Sequence, residues 1–298
     1  MDIKEALRMN RQKSFEEHSC GTLYLVATPI GNLEDITMRA IRILKEVSLI
    51  AAEDTRQTRK LLSRFEIDGR LVSYHEHNKA ASGPELIRLL EEGSSIALVS
   101  DAGMPAISDP GADLVKDAVE RGIPVVPVPG ANAALAALII SGLPTERFLF
   151  AGFPPRDKKS LENWLLGLKR MDSTLLFYES PHRVAKTLPA IRAVLGDRKM
   201  AMIRELTKKH EEAVRGTVSE CEQWLEENEP LGEYCLVVEG ADGDEAAEQG
   251  PSWWEGLSLE EHASKYEEQG EPRKEAIRKT AADRGLQKRV VYNELMRK

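Results

Sequence analysis

The chain has 298 residues, of which 42% are hydrophobic and 30% are charged, a balance that is ordinary for a globular enzyme. This length exceeds the usual size of one domain, so we expect two or three domains. Every apolar run falls short of the roughly 18 residues that a membrane-spanning helix needs, and we expect no association with a membrane.

The charge is distributed unevenly along the chain. The total is −8, yet residues 272–298 carry nine lysines and arginines against three acidic residues, a net charge of +6, which leaves −14 for the remainder. A basic block of this kind is typical either of a solvated helix face or of a nucleic-acid contact. The charge alone does not distinguish between these two interpretations.

Residues 1–20 are polar and contain no apolar segment of the kind that directs export, so they are predicted to be an N-terminal tail. The three cysteines, Cys20, Cys221 and Cys235, are odd in number and form no C-x-x-C pair. That pattern disfavours a disulfide framework and a zinc site. We therefore expect a protein of the reducing cytoplasm.

Short β-rich runs alternate with helical stretches over residues 21–142, the first predicted domain. Strands are predicted at 23–27, 47–52, 70–74, 96–100 and 125–128, and helices at 35–46 (opened by Asp35), 55–64, 84–92 and 111–121. Strands that alternate with helices indicate crossover units and a mostly parallel sheet.

A turn-rich segment, residues 142–155, leads into a second predicted α/β domain over 143–240. Helices are predicted at 159–170, 184–195 and 218–227, and strands at 174–178, 199–203 and 234–239. Residues 241–256 form an acidic linker that is poor in apolar residues. Residues 257–298 are predicted to be a small helical domain, in which Ala281, Gly285 and Val291 have the spacing of a helix-turn-helix or of an ordinary helical hairpin.

Three strand-to-loop junctions are rich in glycine and proline but contain no lysine. They are residues 23–32 (LYLVATPIGN), 96–111 (IALVSDAGMPAISDPG) and 125–132 (VVPVPGAN), named the first, second and third junction. Neither the dinucleotide nor the nucleoside-triphosphate glycine pattern occurs in them. Ligands of parallel sheets bind at the carboxyl ends of the strands. The junctions therefore predict a cofactor held by close main-chain contacts and by the carboxylate of Asp101, although each alone could simply shape a turn.

Other polar groups follow predicted strands. Glu53-Asp54-Thr55-Arg56 could provide a base and an anion clamp, or a helix N-cap from Asp54 or Thr55. His75 and His77 could begin a metal site, but no third ligand stands at a suitable spacing, so a polar strand end or a substrate contact is favoured and no metal is expected. No nucleophile motif is present. This pattern favours group transfer between bound substrates.

Seven segments in this order resemble one family. They are LYLVATPIGNLEDIT, AAEDTRQTRKLL, SYHEHN, ALVSDAGMPAISDPG, PVPGANAALAAL, FYESPHRV and RELTKKHEE. The chain is similar to the small-subunit ribosomal RNA 2′-O-methyltransferase I family, the RNA-acting branch of the tetrapyrrole methylases. The resemblance implies an α/β fold of two domains with S-adenosylmethionine in the cleft between them, and a homodimer. It also implies methyl transfer to the ribose 2′-hydroxyl of a decoding-centre cytidine in 16S ribosomal RNA, assisted by the C-terminal helices.

The resemblance also implies site residues. Those expected to contact the cofactor are Ile30, Asp101, Gly103, Asn132 and Ala133 from the first domain, and Tyr178, Leu206 and Tyr234 from the second. The candidate bases for the hydroxyl proton are Asp54 and Glu179. The candidate RNA or substrate contacts are Arg56, His182 and Arg204. Two alternatives are a methyltransferase of a tetrapyrrole precursor and a ribosome-binding relative without catalytic activity.

Overall fold

The computed structural model describes residues 12–13, 18–242, 254 and 256–296. The chain divides into two compact units, Met1–Ala241 and Asp242–Lys298. Most of the predicted N-terminal tail and most of the predicted acidic linker lie outside the described residues.

Within residues 18–242, the first sheet is wholly parallel. Its strands are β1 (Leu23–Val26), β2 (Leu49–Ala52), β3 (Leu71–Ser73), β4 (Ile96–Val99) and β5 (Val125–Val128). They are arranged in the order β3-β2-β4-β1-β5. Every residue of β2 and β4 is buried, as expected for central strands covered by helices on both faces. The prediction of a mostly parallel sheet is confirmed here.

The helices that follow these strands are α1 (Met38–Glu46), α2 (Thr55–Arg64), α3 (Lys79–Glu91), α4 (Ala112–Glu120) and α5 (Ala133–Ser141). The helix predicted to open at Asp35 begins at Met38 instead. Thr37 caps it, because its hydroxyl accepts a hydrogen bond from the amide of Ala40 at 3.1 Å, and residues Leu33–Asp35 form a separate 3-10 turn. The third helix was predicted from residue 84, whereas it starts at Lys79 and contains Pro84.

The second sheet is mixed. Its strands are β6 (Phe148–Phe150), β7 (Thr174–Glu179), β8 (Lys199–Arg204), β9 (Glu212–Thr217) and β10 (Tyr234–Val238). Their order is β6-β7-β10-β8-β9, with β6 parallel to β7 and the other neighbours antiparallel. The two edge strands, β6 and β9, are absent from the sequence-based prediction.

One face of the second sheet is covered by α6 (Lys158–Leu168), α7 (Pro181–Leu195) and α8 (Val218–Glu227), which enclose a large apolar core. The other face is covered by α5, whose Ala134, Ala137 and Leu138 pack against Ile203 and Cys235 of the sheet. Because α5 directly follows β5 of the first sheet, it brings the third junction beside the second sheet.

The C-terminal unit contains α9 (Leu259–Glu268), α10 (Arg273–Asp283) and α11 (Lys288–Leu295), as the predicted helical segment requires. Ile277, Ala281 and Val291 form its small apolar core. The turn between α10 and α11 passes through Gly285 at φ +62°, a conformation that glycine adopts without strain. Among the described residues, no helix combines the length and apolar character that crossing a membrane would require.

Candidate active site

The first and second junctions are joined by their main chains. The amide of Thr28 donates to the carbonyl of Gly103 at 2.9 Å, and the amide of Gly103 donates to the carbonyl of Thr28 at 3.0 Å. Gly103 has φ +77°, and a Cβ added there would lie 3.4 Å from Ile30 Cγ2 and 3.7 Å from the carbonyl oxygen of Ala131. All three junctions therefore converge on one glycine.

A cavity of about 250 Å³ opens beside this convergence, just below the usual size of small-molecule sites, about 300–1,000 Å³. It lies between the ends of the first-sheet junctions and the residues at the ends of β7, β8 and β10 of the second sheet. Seven of the predicted cofactor residues line it: Ile30, Gly103, Asn132, Ala133, Tyr178, Leu206 and Tyr234. Asp101 is not among the lining residues, and its carboxylate accepts a hydrogen bond from the amide of Asp54 at 3.0 Å.

The aromatic wall of the cavity is built around Tyr178. Its ring centroid lies 4.8 Å from that of Phe150 and 5.5 Å from that of Phe153, and its hydroxyl accepts a hydrogen bond from the amide of Ala134 at 3.1 Å. Burial raises the pKa of Tyr178 to about 12, so the hydroxyl stays protonated at neutral pH. Tyr178 thus fixes the start of α5 against the second sheet.

Tyr234 and Cys235 are neighbours on β10 and pack into different cores. Tyr234 joins the core under α7 and α8, whereas Cys235 joins the core under α5. Successive side chains of a strand point to opposite faces. The main chain of Tyr234 is therefore the part available to the cavity. This agrees with the prediction of a cofactor that is held by main-chain contacts.

The first junction is also held directly to the turn after β8. The amide of Asn32 donates to the hydroxyl of Thr207 at 3.1 Å, and a Cβ added to Gly31 would lie 2.4 Å from Lys208 Cγ. Glu205 and Thr207 have φ +50° and +66°, a strained region for residues with side chains. We name residues 205–208 the β8 turn. This strained turn closes one side of the cavity against the first junction.

Three carboxylates, Glu53, Asp101 and Asp109, lie near each other beside the second junction, and Asp109 lines the cavity. Burial, followed by the negative charge of Glu53, raises the pKa of Asp109 to about 6; the Ser100 hydroxyl opposes this shift and the charge of Asp101 adds to it. Burial and the charge of Asp101 also raise the pKa of Glu53. Ala106 and Ser108, just before Asp109, have φ +68° and +61°. A partly buried, strained loop thus presents one carboxylate to the cavity.

The two carboxylates predicted as bases are engaged in other contacts. Asp54 caps α2 by accepting from the amide of Arg56 at 2.8 Å, pairs with the Arg56 guanidinium at 2.8 Å, and does not line the cavity. Glu179 does line it, but its side chain is fully buried and accepts from the amide of Ser180 at 2.8 Å and from the hydroxyl of Thr187 at 2.7 Å. These contacts favour structural roles for both, and the catalytic assignment remains a prediction.

The predicted substrate contacts, Arg56, His182 and Arg204, do not line the cavity. Arg56 is largely exposed beyond its pair with Asp54, and His182 is exposed in the first turn of α7. Arg204 instead forms an ion pair with Glu212 at 2.7 Å. Their role in binding substrate stays a prediction.

The ring centroids of His75 and His77 lie 6.0 Å apart, and His75 Nδ1 accepts from the amide of Asn78 at 3.2 Å. In the part of the chain that the structure describes, no group of three or more His, Cys, Asp or Glu side chains is placed to hold a metal ion.

Among the described residues, sequence reasoning missed three carboxylates that line the cavity, and Glu205 and Glu233 among them pair with Lys208. The third is Asp109. It stands inside the second junction, in the segment S-D-P-G, but ten residues beyond the end of β4. The available signal was a second aspartate before Pro110-Gly111 in a junction that already contained Asp101. Its position beside the cavity depends on how the loop folds back, which spacing alone does not show.

Comparison with known proteins defines the class first. Residues 22–222 match the family model of tetrapyrrole (corrin/porphyrin) methylases. Two solved structures share the fold: a diphthine synthase (TM-score 0.58, 16% identity, 76% of this chain and 94% of that one) and the uroporphyrin III C-methyltransferase of Thermus thermophilus (TM-score 0.53, 20% identity, 74% and 97%). At these identities the likeness concerns the fold alone.

Full-length relatives define the particular family. The ribosomal RNA small subunit methyltransferase I of Bacillus subtilis is 54% identical over 96% of this chain and 98% of its own length, and that of Halalkalibacterium halodurans is 56% identical over the same shares. The protein of that name from Synechocystis is 45% identical over 91% of this chain. The chain belongs to the ribosomal RNA small subunit methyltransferase I family of tetrapyrrole methylases, and it is a methyltransferase.

Proposed function

We propose that this protein transfers a methyl group from S-adenosylmethionine to the ribose 2′-hydroxyl of a decoding-centre cytidine in 16S ribosomal RNA. The observation that carries the proposal is the convergence of the three junctions on Gly103, beside a cavity that contains seven of the eight predicted cofactor residues. The family of the chain supports the same reaction class.

The cavity suits a nucleoside cofactor without phosphate groups. Of the described residues that line it, Lys208 alone is basic, and its ammonium lies 3.0 Å from both Glu205 and Glu233. A phosphate would find no available cation there. Main chain, small side chains and apolar groups form much of the remaining wall, which suits an adenosine moiety.

S-adenosylmethionine, when bound, would supply a methyl group on a positively charged sulfur that is a good leaving group. The protein then has to place the acceptor oxygen in line with that methyl group and keep water away. Positioning of two reactants can contribute roughly 7–11 kcal/mol to lowering a barrier. Gly103, Ile30 and Ala133 would shape one wall, and Tyr178 and Leu206 the opposite one.

The acceptor is proposed to be RNA because the last part of the C-terminal unit, residues 272–298, carries a net charge of +6. Lys288 and Arg289 are exposed at the start of α11, and Arg278 is half-exposed on α10. Lysine and arginine contacts to phosphates supply most of the sequence-independent affinity for nucleic acid. The relatives named above carry the small-subunit ribosomal RNA in their names, which supports this choice of acceptor. The free cysteines and this substrate also support a cytoplasmic location.

We further infer a homodimer. Helix α5 is apolar nearly all round, and only one side of it packs on the second sheet. On the other side Leu135 and Ile139 are 47% and 74% exposed. An exposed apolar strip of this kind is typical of a subunit interface. Sedimentation of the wild type should give a dimer mass, and Ile139→Glu should shift it to the monomer.

The reaction is tested by offering S-adenosylmethionine with a labelled methyl group to purified small subunits, free 16S ribosomal RNA and a tetrapyrrole precursor in parallel. We expect label only in RNA, and digestion followed by mass spectrometry should identify a 2′-O-methylcytidine. Label in the tetrapyrrole would replace the proposed acceptor, and methylation of a base would replace the 2′-hydroxyl. Absence of label in all three would support a ribosome-binding protein without this activity.

A further inference from the structure

We propose that Asp109 is the catalytic base that accepts the proton of the ribose 2′-hydroxyl during methyl transfer. This inference rests on the proposed function and assigns a residue to its proton-transfer step. It starts from a requirement of the chemistry: the neutral hydroxyl must lose its proton when its oxygen is methylated, and the cavity must offer a group to receive it.

Among the described residues, four carboxylates line the cavity: Asp109, Glu179, Glu205 and Glu233. Three of them are already engaged in ion pairs or hydrogen bonds with other side chains. Lys208 bridges Glu205 and Glu233 at 3.0 Å each, and Glu179 is fully buried beneath its hydrogen bond from Thr187. In the described part of the chain, no lysine or arginine forms an ion pair with Asp109, so its charge is not neutralised by a cation.

The position of Asp109 suits contact with both reactants. It projects from the second junction, whose Gly103 forms the predicted cofactor wall, and its charge acts on Tyr178 on the opposite wall. Asp109 is partly buried. This limits competition from bulk water and leaves the carboxylate at the surface of the cavity. A hydroxyl brought beside the cofactor would therefore meet this carboxylate.

The groups that face Asp109 make it a stronger base than an ordinary aspartate. Glu53, after β2, and Asp101, after β4, are both negative, and Tyr178, on β7, stays neutral. Burial and these two negative charges raise the pKa of Asp109 to about 6, against an opposing effect of the Ser100 hydroxyl. A carboxylate with this pKa is ionised at neutral pH and binds a proton more readily than one near pH 4, which favours general-base catalysis.

The 2′-oxygen forms a bond to the methyl carbon while the bond between that carbon and sulfur breaks, and the electron pair of that bond remains on sulfur. The hydroxyl proton moves to the Asp109 carboxylate, which later releases it to solvent. The products are the 2′-O-methyl ribose and a neutral thioether.

The decisive variant is Asp109→Asn. It keeps the size of the side chain, but its amide is too weak a base to accept the hydroxyl proton. With small subunits as substrate we expect kcat to fall by about 10²–10⁴-fold, while the S-adenosylmethionine Kd from calorimetry changes by less than about threefold. Asp113→Asn is the matched control, because Asp113 lies four residues further on, outside the cavity, and pairs with Lys79. We expect it to retain the wild-type rate.

A second variant tests the proton directly. In the wild type kcat/KM, which reports the free enzyme, should rise with pH and reach half its maximum near pH 6, the pKa of Asp109. Glu53→Gln removes the neighbouring negative charge, so the half-maximal pH should move downward.

A wild-type rate in Asp109→Asn, or a rate loss that follows only a weaker cofactor Kd, would overturn the proposal and leave the proposed function intact. The proposal would also be overturned if the half-maximal pH of kcat/KM were the same in Glu53→Gln as in the wild type. Failure of the wild type to methylate RNA at all would instead overturn the proposed function, and this inference with it. Calorimetric binding of the cofactor by each variant shows that the fold is retained.

Discussion

Thr28 and Gly103 exchange two main-chain hydrogen bonds although 75 positions separate them in the chain, and this exchange joins the first and second junctions. A side chain at residue 103 would have to adopt φ +77°, which is strained for any residue with a Cβ atom, and it would occupy the space between Ile30 and Ala131. The cavity wall therefore depends on the absence of one Cβ atom.

We expect Gly103→Ala to weaken cofactor binding. The positive φ alone costs about 1–2 kcal/mol for a residue with a Cβ, and the added methyl group would also lie 3.4 Å from Ile30 Cγ2. Calorimetry should show a Kd for S-adenosylmethionine at least about tenfold higher. Gly122→Ala is a matched control, since Gly122 has φ +70° but no heavy atom within 4 Å of its added Cβ. The control should lose stability and keep its affinity; equal losses of affinity in both would contradict the argument.

The contact between the first junction and the β8 turn should also affect affinity. Thr207→Val removes the hydroxyl that accepts from the amide of Asn32, a hydrogen bond worth about 0.5–1.5 kcal/mol. If cofactor binding needs the closed turn, the Kd should rise about two- to tenfold. Thr207→Ser keeps the hydroxyl and should retain the wild-type Kd. Equal affinity in Val and Ser variants would show that the contact does not assist binding.

The stability of the C-terminal unit should decrease in mild acid. His262 is fully buried between the rings of Trp254 and Tyr266, and burial lowers its pKa below the ordinary value of about 6.5, against an opposing effect of Asp283. In the unfolded unit His262 binds a proton near pH 6.5, whereas in the folded unit it does so only at lower pH. Stability is therefore independent of this group above pH 6.5 and falls as the pH decreases below it.

Hydrogen exchange of the full-length protein can measure this effect. Amides of α10 should lose protection between pH 7.5 and pH 5.5, after correction for intrinsic exchange rates, while those of α7 in the other unit provide the internal reference. Unchanged protection of α10 over this range would contradict the assignment of His262 as a buried neutral group.

The basic surface of α11 should determine salt-dependent RNA binding. Charge reversal of Lys288 and Arg289 to glutamate should weaken binding to 16S ribosomal RNA and reduce the slope of log K against log salt by about one for each lost phosphate contact. The cofactor Kd should not change. Lys158→Glu, on the exposed surface of α6, is the control, because it changes the net charge by the same amount as each of the two α11 substitutions. If the control and the α11 variants lose affinity equally, net charge rather than this helix determines binding.

Several elements could be predicted from local chemistry. The bounds of α2 were predicted correctly, because Asp54 supplies a cap within one residue of the helix, and α8 likewise begins after the capping residue Thr217. The predicted start at Asp35 was wrong, because two adjacent segments each contained a possible cap and Thr37 caps the longer helix. Strands β6 and β9 were missed because edge strands are short or half-polar and acquire their hydrogen bonds only from a distant partner.

The amino-acid sequence by itself determined the parallel first sheet, the three junctions rich in glycine and proline, and the basic helical end, since strand alternation, glycine placement and charge are local properties. Only the tertiary structure decided which carboxylates line the cavity and which of them are engaged in other contacts. Glu179 is engaged by Thr187, eight residues away, whereas the pKa of Asp109 depends on Glu53, which precedes it by 56 positions. Hydrogen bonding and electrostatic interaction act through space, so the chemical state of an acidic side chain is determined by the neighbours that folding brings to it.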